Sequence, residues 1–152
     1  TIRDHGLANV TLLGWQPEET LPFSLAAADV GLVSLETDAD GLAMPSKVYY
    51  MMAAGTALLG LSRQTSDLQK VIEQHECGVN VEPGDVEGFT EALTQLCGNS
   101  EYLSTSRQSS RRAAEMVYSR KAAVQQIHKA LVPMLADTDA GSSTFHLVSG
   151  HL

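Results

Sequence analysis

Cysteine is scarce in this chain of 152 residues, positive charge is scarce, and long apolar runs are missing. Two cysteines, Cys77 and Cys97, cannot build a disulfide framework and lack metal-ligand spacing. They fit ordinary core or surface thiols in a reducing, cytoplasmic compartment. Ten basic side chains against 18 acidic ones give a net charge of -8. That excludes a general binder of nucleic-acid backbones, which needs a basic face. A small anion pocket survives the exclusion, because a few groups set a pocket and the total charge does not. No apolar run approaches the roughly 20 residues of a membrane span, and no signal peptide opens the chain. The histidines (His5, His75, His128, His146 and His151) have no metal-ligand spacing. The first residue is Thr1 rather than Met, a hint of sequence upstream.

What is present is a globular balance, 43% hydrophobic and 18% charged, at the length of one ordinary domain. Strand-like runs alternate with helix-like stretches. The pattern predicts strands at 9–14, 29–35, 56–61 and 78–83, separated by helices at 19–28, 45–54, 66–75 and 86–96. Pro22 fits the first turn of the first helix, Gly55 the end of the second, and Ser66 and Asp85 the N-caps of the other two. Alternation of this kind implies crossover units and a parallel α/β sheet. Beyond Gly98 the chain reads as helical over 101–112 and 113–135. Residues 1–135 form the expected domain and 136–152 a tail, linker-like at first and weakly strand-like over Phe145–Val148.

Most of the functional signal lies between Asp29 and Gly84. The helix opened by Pro45-Ser46-Lys47 sits at the carboxyl end of a parallel strand, where open α/β sheets bind ligands. Its free N–H groups and positive dipole end suit a phosphate or sugar hydroxyls. Ser46 adds a hydroxyl and Lys47 a mobile cation. Lys47 fits a ligand contact and a solvated helix-start lysine equally well. Tyr49 and Tyr50 cannot face the same way, so one belongs to the core. Met44, Met51 and Met52 fit helix packing. Asp38 and Asp40 could pair for acid–base work, although loop solvation explains them more simply. His75 ends a helix, where a cation is favoured. Arg107, Arg111 and Arg112 read as a solvated helix face.

The series Asn9-Val10-Thr11-Leu12-Leu13-Gly14-Trp15, Ala28-Asp29-Val30-Gly31-Leu32, Pro45 to Gly55, and Gly78 to Asp85 resembles the family 4 (group 1) glycosyltransferases. The resemblance runs over roughly residues 5 to 132. It implies one half of a GT-B fold, a Rossmann-like parallel sheet with flanking helices that binds the donor nucleotide sugar. It places Gly14 and Trp15 at the base of the nucleotide, and Pro45, Ser46 and Lys47 at the donor sugar and diphosphate. Trp15 could instead cover a sheet edge. The implied reaction is retaining transfer of a sugar from a UDP- or GDP-linked donor to a glycan or lipid-linked acceptor. No metal or other cofactor is implied. The acceptor would be held by an N-terminal domain or a partner chain, so this chain is expected to be inactive alone. The inner membrane surface is open to a full enzyme of this kind.

Three departures accompany the resemblance. The family signature of two glutamates with seven residues between them is absent; Leu42 and Tyr50 take the two positions. The second of those glutamates would bind the ribose hydroxyls, and a tyrosine cannot present two carboxylate oxygens. The opening strand, glycine loop and basic helix of the family domain have no counterpart here. In the doubly wound order that strand is central, so the expectation is a gap between the pair 10–13 with 30–35 and the pair 57–61 with 79–81. A swapped segment, a partner chain, an altered strand order or the tail at Phe145–Val148 would have to fill it. Open sheet edges also allow a homo-oligomer. Two other readings stand beside the enzyme: a non-catalytic module of the same fold acting through a protein partner, and an unrelated doubly wound protein such as a flavodoxin-like regulator.

Overall fold

The computed structural model describes residues 4–35 and 44–138, with side chains as far as 133. Asp38, Asp40, Leu42 and the strand-like stretch Phe145–Val148 lie outside the described residues. Three parallel strands form the sheet, β1 (Val30–Ser34), β2 (Ala57–Leu61) and β3 (Gly78–Val81), in the order β1-β2-β3. Helices connect and flank them: α1 (Leu21–Ala27), α2 (Ser46–Ala54), α3 (Asp67–His75), α4 (Val86–Gly98), α5 (Ser100–Met116) and α6 (Arg120–Thr138). This is the expected α/β, Rossmann-like architecture.

Local chemistry accounts for most boundaries. Ser66 caps α3 by accepting from Gln69 N–H at 3.0 Å, and Asp85 caps α4 by accepting from Gly88 N–H at 2.9 Å. Gly55 closes α2 in the left-handed region at φ 73°, which an L side chain resists. Gly78 is demanded by close approach: a Cβ there would lie 1.8 Å from the Leu58 carbonyl oxygen across the β2–β3 ladder.

Two clusters sandwich the sheet. On one face Val33, Val48, Met52, Leu58, Leu68, Ile72 and Cys77 are buried under α2 and α3, with Ala113 and Ala114 of α5. On the other, Ala57, Leu59, Val81, Ala92 and Leu96 pack with Phe89, Tyr102 and Leu103. Helix α5 therefore serves both faces. Strand β2 is buried on both sides, as parallel sheets covered by helices require. Strand β1 is less covered on its second side: Gly31 and Val33 are buried on the first, while on the second Val30 packs against the core and Leu32 is half exposed.

Strand order corrects the expected gap. β1 pairs directly with β2, Val30 opposite Ala57 through Ser34 opposite Leu61, and β2 pairs with β3. The strand expected at 9–14 does not form, and its residues stay exposed, Leu12 at 80% and Leu13 at 75%. The doubly wound order 3-2-1-4-5-6 explains both facts. β1, β2 and β3 match the contiguous run 4-5-6. Residues 9–14 match position three, separated from β1 by two strand positions that no described residue fills. A strand without a neighbour has nothing to satisfy its backbone N–H and C=O groups except water.

The helical end also departs from expectation. The break falls at 117–119, not at 112–113. There Ser119 Oγ accepts from Ala122 N–H at 3.2 Å and starts α6, while the Tyr118 ring turns in against Tyr49, centroids 4.9 Å apart. Helix α6 runs through Pro133 to Thr138, so residues 136–138 are helix and not linker.

Candidate functional site

Helix α2 begins beside the carboxyl end of β1, at the crevice where an open sheet receives ligands. Pro45 takes the N-cap position at φ -62° and ψ 126° and offers no side-chain cap. The first bond of the helix start runs from Val48 N–H to the Pro45 carbonyl at 3.0 Å. Among the described residues the N–H groups of Ser46 and Lys47 have no acceptor, as expected in the opening turn of a helix. Both residues are exposed, whereas Val48 next to them is fully buried and anchors the turn. Two free donors, a hydroxyl and an ammonium thus share one helix start, on a backbone that does not have to reorganise to present them. The dipole of α2 adds roughly half a positive charge at the same place.

Tyr50 lies one turn further along α2 and is 60% exposed. It borders a groove of about 600 Å³ between α1 and α2, lined by Leu21, Pro22, Leu25, Ala53 and Arg111 with Glu18 at the margin. Tyr49 faces the other way and packs on the core, as two adjacent helical tyrosines must. Met44, Met51 and Met52 all join the core cluster. Gly14 and Trp15 lie in the extended segment outside the sheet, where Gln16 Nε2 donates to the Gly14 carbonyl at 3.1 Å. Trp15 is 99% exposed, so it neither covers the sheet edge nor touches Pro45, Ser46, Lys47 or Tyr50. The structure therefore brings together the three helix-start residues and sets Tyr50 beside them on the same helix.

The carboxyl ends of β2 and β3 hold a polar cluster that sequence reading missed. Ser62 Oγ donates to Asn80 Oδ1 at 2.7 Å and accepts from Ser66 Oγ at 2.7 Å, and Asn80 Nδ2 donates to the Ser62 carbonyl at 2.9 Å. Ser62 and Ser66 are buried and their hydroxyls are satisfied, so this cluster fixes the rim of the sheet without offering a reactive group. The signal for it was Asn80, an amide inside an otherwise apolar strand.

The opposite end of α2 corrects the reading of the arginines as a solvated face. Arg107 Nε donates to the Gly55 carbonyl at 2.9 Å, and its Nη1 donates to Asp29 Oδ1 at 2.5 Å. Arg111 Nη1 donates to the Ala53 carbonyl and its Nε to Glu115 Oε1 at 2.6 Å. Guanidinium groups thus satisfy the last carbonyls of α2 and oppose its negative dipole end. Arg112 is exposed, as expected.

His75 does lie in the last turn of α3, but its surroundings work against the charge that a helix end favours. Burial pushes its pKa down, and its Nε2 shares a 2.9 Å hydrogen bond with the Tyr118 hydroxyl. Burial likewise raises Tyr118, with Tyr49 and Cys77 adding to the effect. Cys77 is buried and its thiol is pushed up to about 11, chiefly by burial, which leaves it unreactive; Cys97 is exposed. Among the described residues no three His, Cys, Asp or Glu side chains converge as a metal site. None of the described helices is long and apolar enough to cross a membrane.

Residues 1–99 match the model of the glycosyl transferases group 1 family. The chain is also 31% identical over 101 residues to a probable glycosyltransferase, WbjE, of Pseudomonas aeruginosa. That match covers 64% of this chain and 25% of the relative, so the aligned part spans about a quarter of the relative's length. No solved structure matches the chain significantly.

Proposed function

The chain belongs to the group 1 glycosyltransferases, and from that premise we propose that it is the donor-binding half of a retaining enzyme. The observation that carries the reading is the start of α2 at the carboxyl end of β1, where no acceptor among the described residues engages the N–H groups of Ser46 and Lys47. In this reading the donor is a UDP- or GDP-linked sugar whose diphosphate rests on those N–H groups. Lys47 supplies the neutralising cation, so the reading needs no bound metal. As the glycosidic bond to the diphosphate breaks, negative charge grows on the departing phosphate oxygens. Fixed donors already aimed there stabilise that charge without reorganising. A glycan or lipid-linked acceptor is presented by a further domain or partner chain, and transfer by this chain alone is not expected.

Tyr50 favours a second reading, a non-catalytic module of the same fold. It offers one phenolic hydroxyl where two carboxylate oxygens would grip a ribose. The exposed part of β1 around Leu32 gives such a module a surface for a partner or a second copy.

Titration of the chain with UDP and GDP, followed by amide shifts in NMR spectra, separates the two. The donor reading expects saturable shifts at Ser46 and Lys47. It also expects Lys47→Ala to weaken binding about 5–30-fold, from roughly 1 kcal/mol for each phosphate charge within 4 Å in water. Silence from a folded chain at millimolar nucleotide rules out the donor site.

A further inference from the structure

Among the described residues the leading N–H groups at the crevice end of α2 have no acceptor, so buried Val48 and the hold on the far end of the helix set their position. That far end is held from two sides. Arg107 reaches 52 residues back along the chain to the Gly55 carbonyl, and 78 residues back to Asp29, the residue just ahead of β1. One guanidinium therefore joins the start of β1 to the exit of α2. Those are the amino end of β1 and the carboxyl end of α2, the two elements whose opposite ends form the crevice. Asp29 is fixed in turn, because its carbonyl accepts from Ala57 N–H at 3.0 Å at the head of β2. Thr56 Oγ1 adds a 3.1 Å bond to the Leu25 carbonyl, tying α1 to the same corner. Arg111 also caps α2, but its second partner is Glu115 on its own helix, so it does not join β1 to α2.

We propose that Arg107 is a positioning residue for donor binding, acting through α2 on the N–H groups of Ser46 and Lys47. The inference rests on the donor reading above for its functional half. Nine helical residues separate the clamp from the crevice, about 14 Å of nearly rigid rod. A rod held at its far end transmits a small axial slip or tilt undiminished to its near end. Phosphate recognition by fixed donors tolerates only ~0.5 Å of such error. A lysine at this position keeps the charge but reaches one partner at a time, since it lacks the planar fork that serves Gly55 and Asp29 together.

The test uses the full chain with Arg107→Ala, Arg107→Lys and Asp29→Asn. Amide spectra and hydrogen exchange are first recorded without ligand. Coupling through the rod moves the Ser46 and Lys47 amides in Arg107→Ala and speeds exchange along α2. Lysine restores part of the change, and β3 stays as it was. Perturbation confined to Asp29, Gly55 and their neighbours, with Ser46 and Lys47 unmoved, overturns the proposal. Should Arg107→Ala fail to fold, the other two variants carry the same readout. Nucleotide titration follows, with about tenfold weaker UDP or GDP binding expected for Arg107→Ala. If the unaltered chain binds neither nucleotide while Ser46 and Lys47 still respond to Arg107, the coupling stands and the donor reading fails.

Discussion

Replacing Ser46 by proline isolates a single backbone N–H. Ser46 is the first residue of α2, and Pro45 before it already has the extended ψ of 126° that a following proline demands. Proline is well tolerated at this helical position, because the N–H it removes has no helical partner. The fold should therefore hold, with a small gain of about 0.4–1 kcal/mol from the stiffer unfolded chain. Ligand binding should not hold. Ser46→Ala removes only the hydroxyl, whereas Ser46→Pro removes the hydroxyl and the N–H, so their difference is the N–H alone. A hydrogen bond to a charged group contributes roughly 1.5–3 kcal/mol, and that difference is about 10–150-fold in affinity. Calorimetric titration with the better-binding of UDP and GDP measures it, with amide spectra to show that α2 is native in both variants. Equal affinities for a folded Ser46→Pro and Ser46→Ala would refute the idea that the free N–H groups hold the diphosphate.

Two stability predictions follow from the core. Gly78→Ala drives a methyl group into the Leu58 backbone, so its cost should exceed the ~1–3 kcal/mol of ordinary overpacking; urea unfolding checks this, and a change below 1 kcal/mol would contradict the β2–β3 register. Because burial lowers the His75 pKa, the unfolded chain binds more protons than the native one just below pH 6.5. Stability should then fall as pH drops through 6.5 towards the native pKa, and His75→Gln should flatten that slope in thermal melts recorded from pH 7.5 to 5.

The site and the fold were legible in the sequence where the signal is local. Pro45 and Gly55 bracket α2, and Ser66 and Asp85 cap their helices, because each acts on backbone groups within a few residues of itself. The helix-start donors Ser46 and Lys47 followed from the same logic. Residues 9–14 failed for the opposite reason. Their apolar content is real, but a strand exists only where a neighbour supplies a ladder, and strand order is a property of the whole sheet. The arginine clamp was equally hidden, since Arg107 and Arg111 read as surface on a polar helix until the fold carries them to carbonyls more than 50 residues away. The same holds for the break at 117–119, which reflects Tyr118 turning inward to His75 and Tyr49.

Helix α5 also sets when this domain can come into being. Tyr102 and Leu103 complete one core cluster, while Ala113 and Ala114 complete the other. A growing chain has made all three strands by residue 81, yet neither side of the sheet is sealed until α5 has been synthesised and has cleared the ribosome. Until that moment Leu58 and Leu59 point their side chains from opposite faces of β2 towards incomplete cover. The core is therefore completed late in synthesis, and the nascent sheet leaves apolar surface open to aggregation for the interval in between.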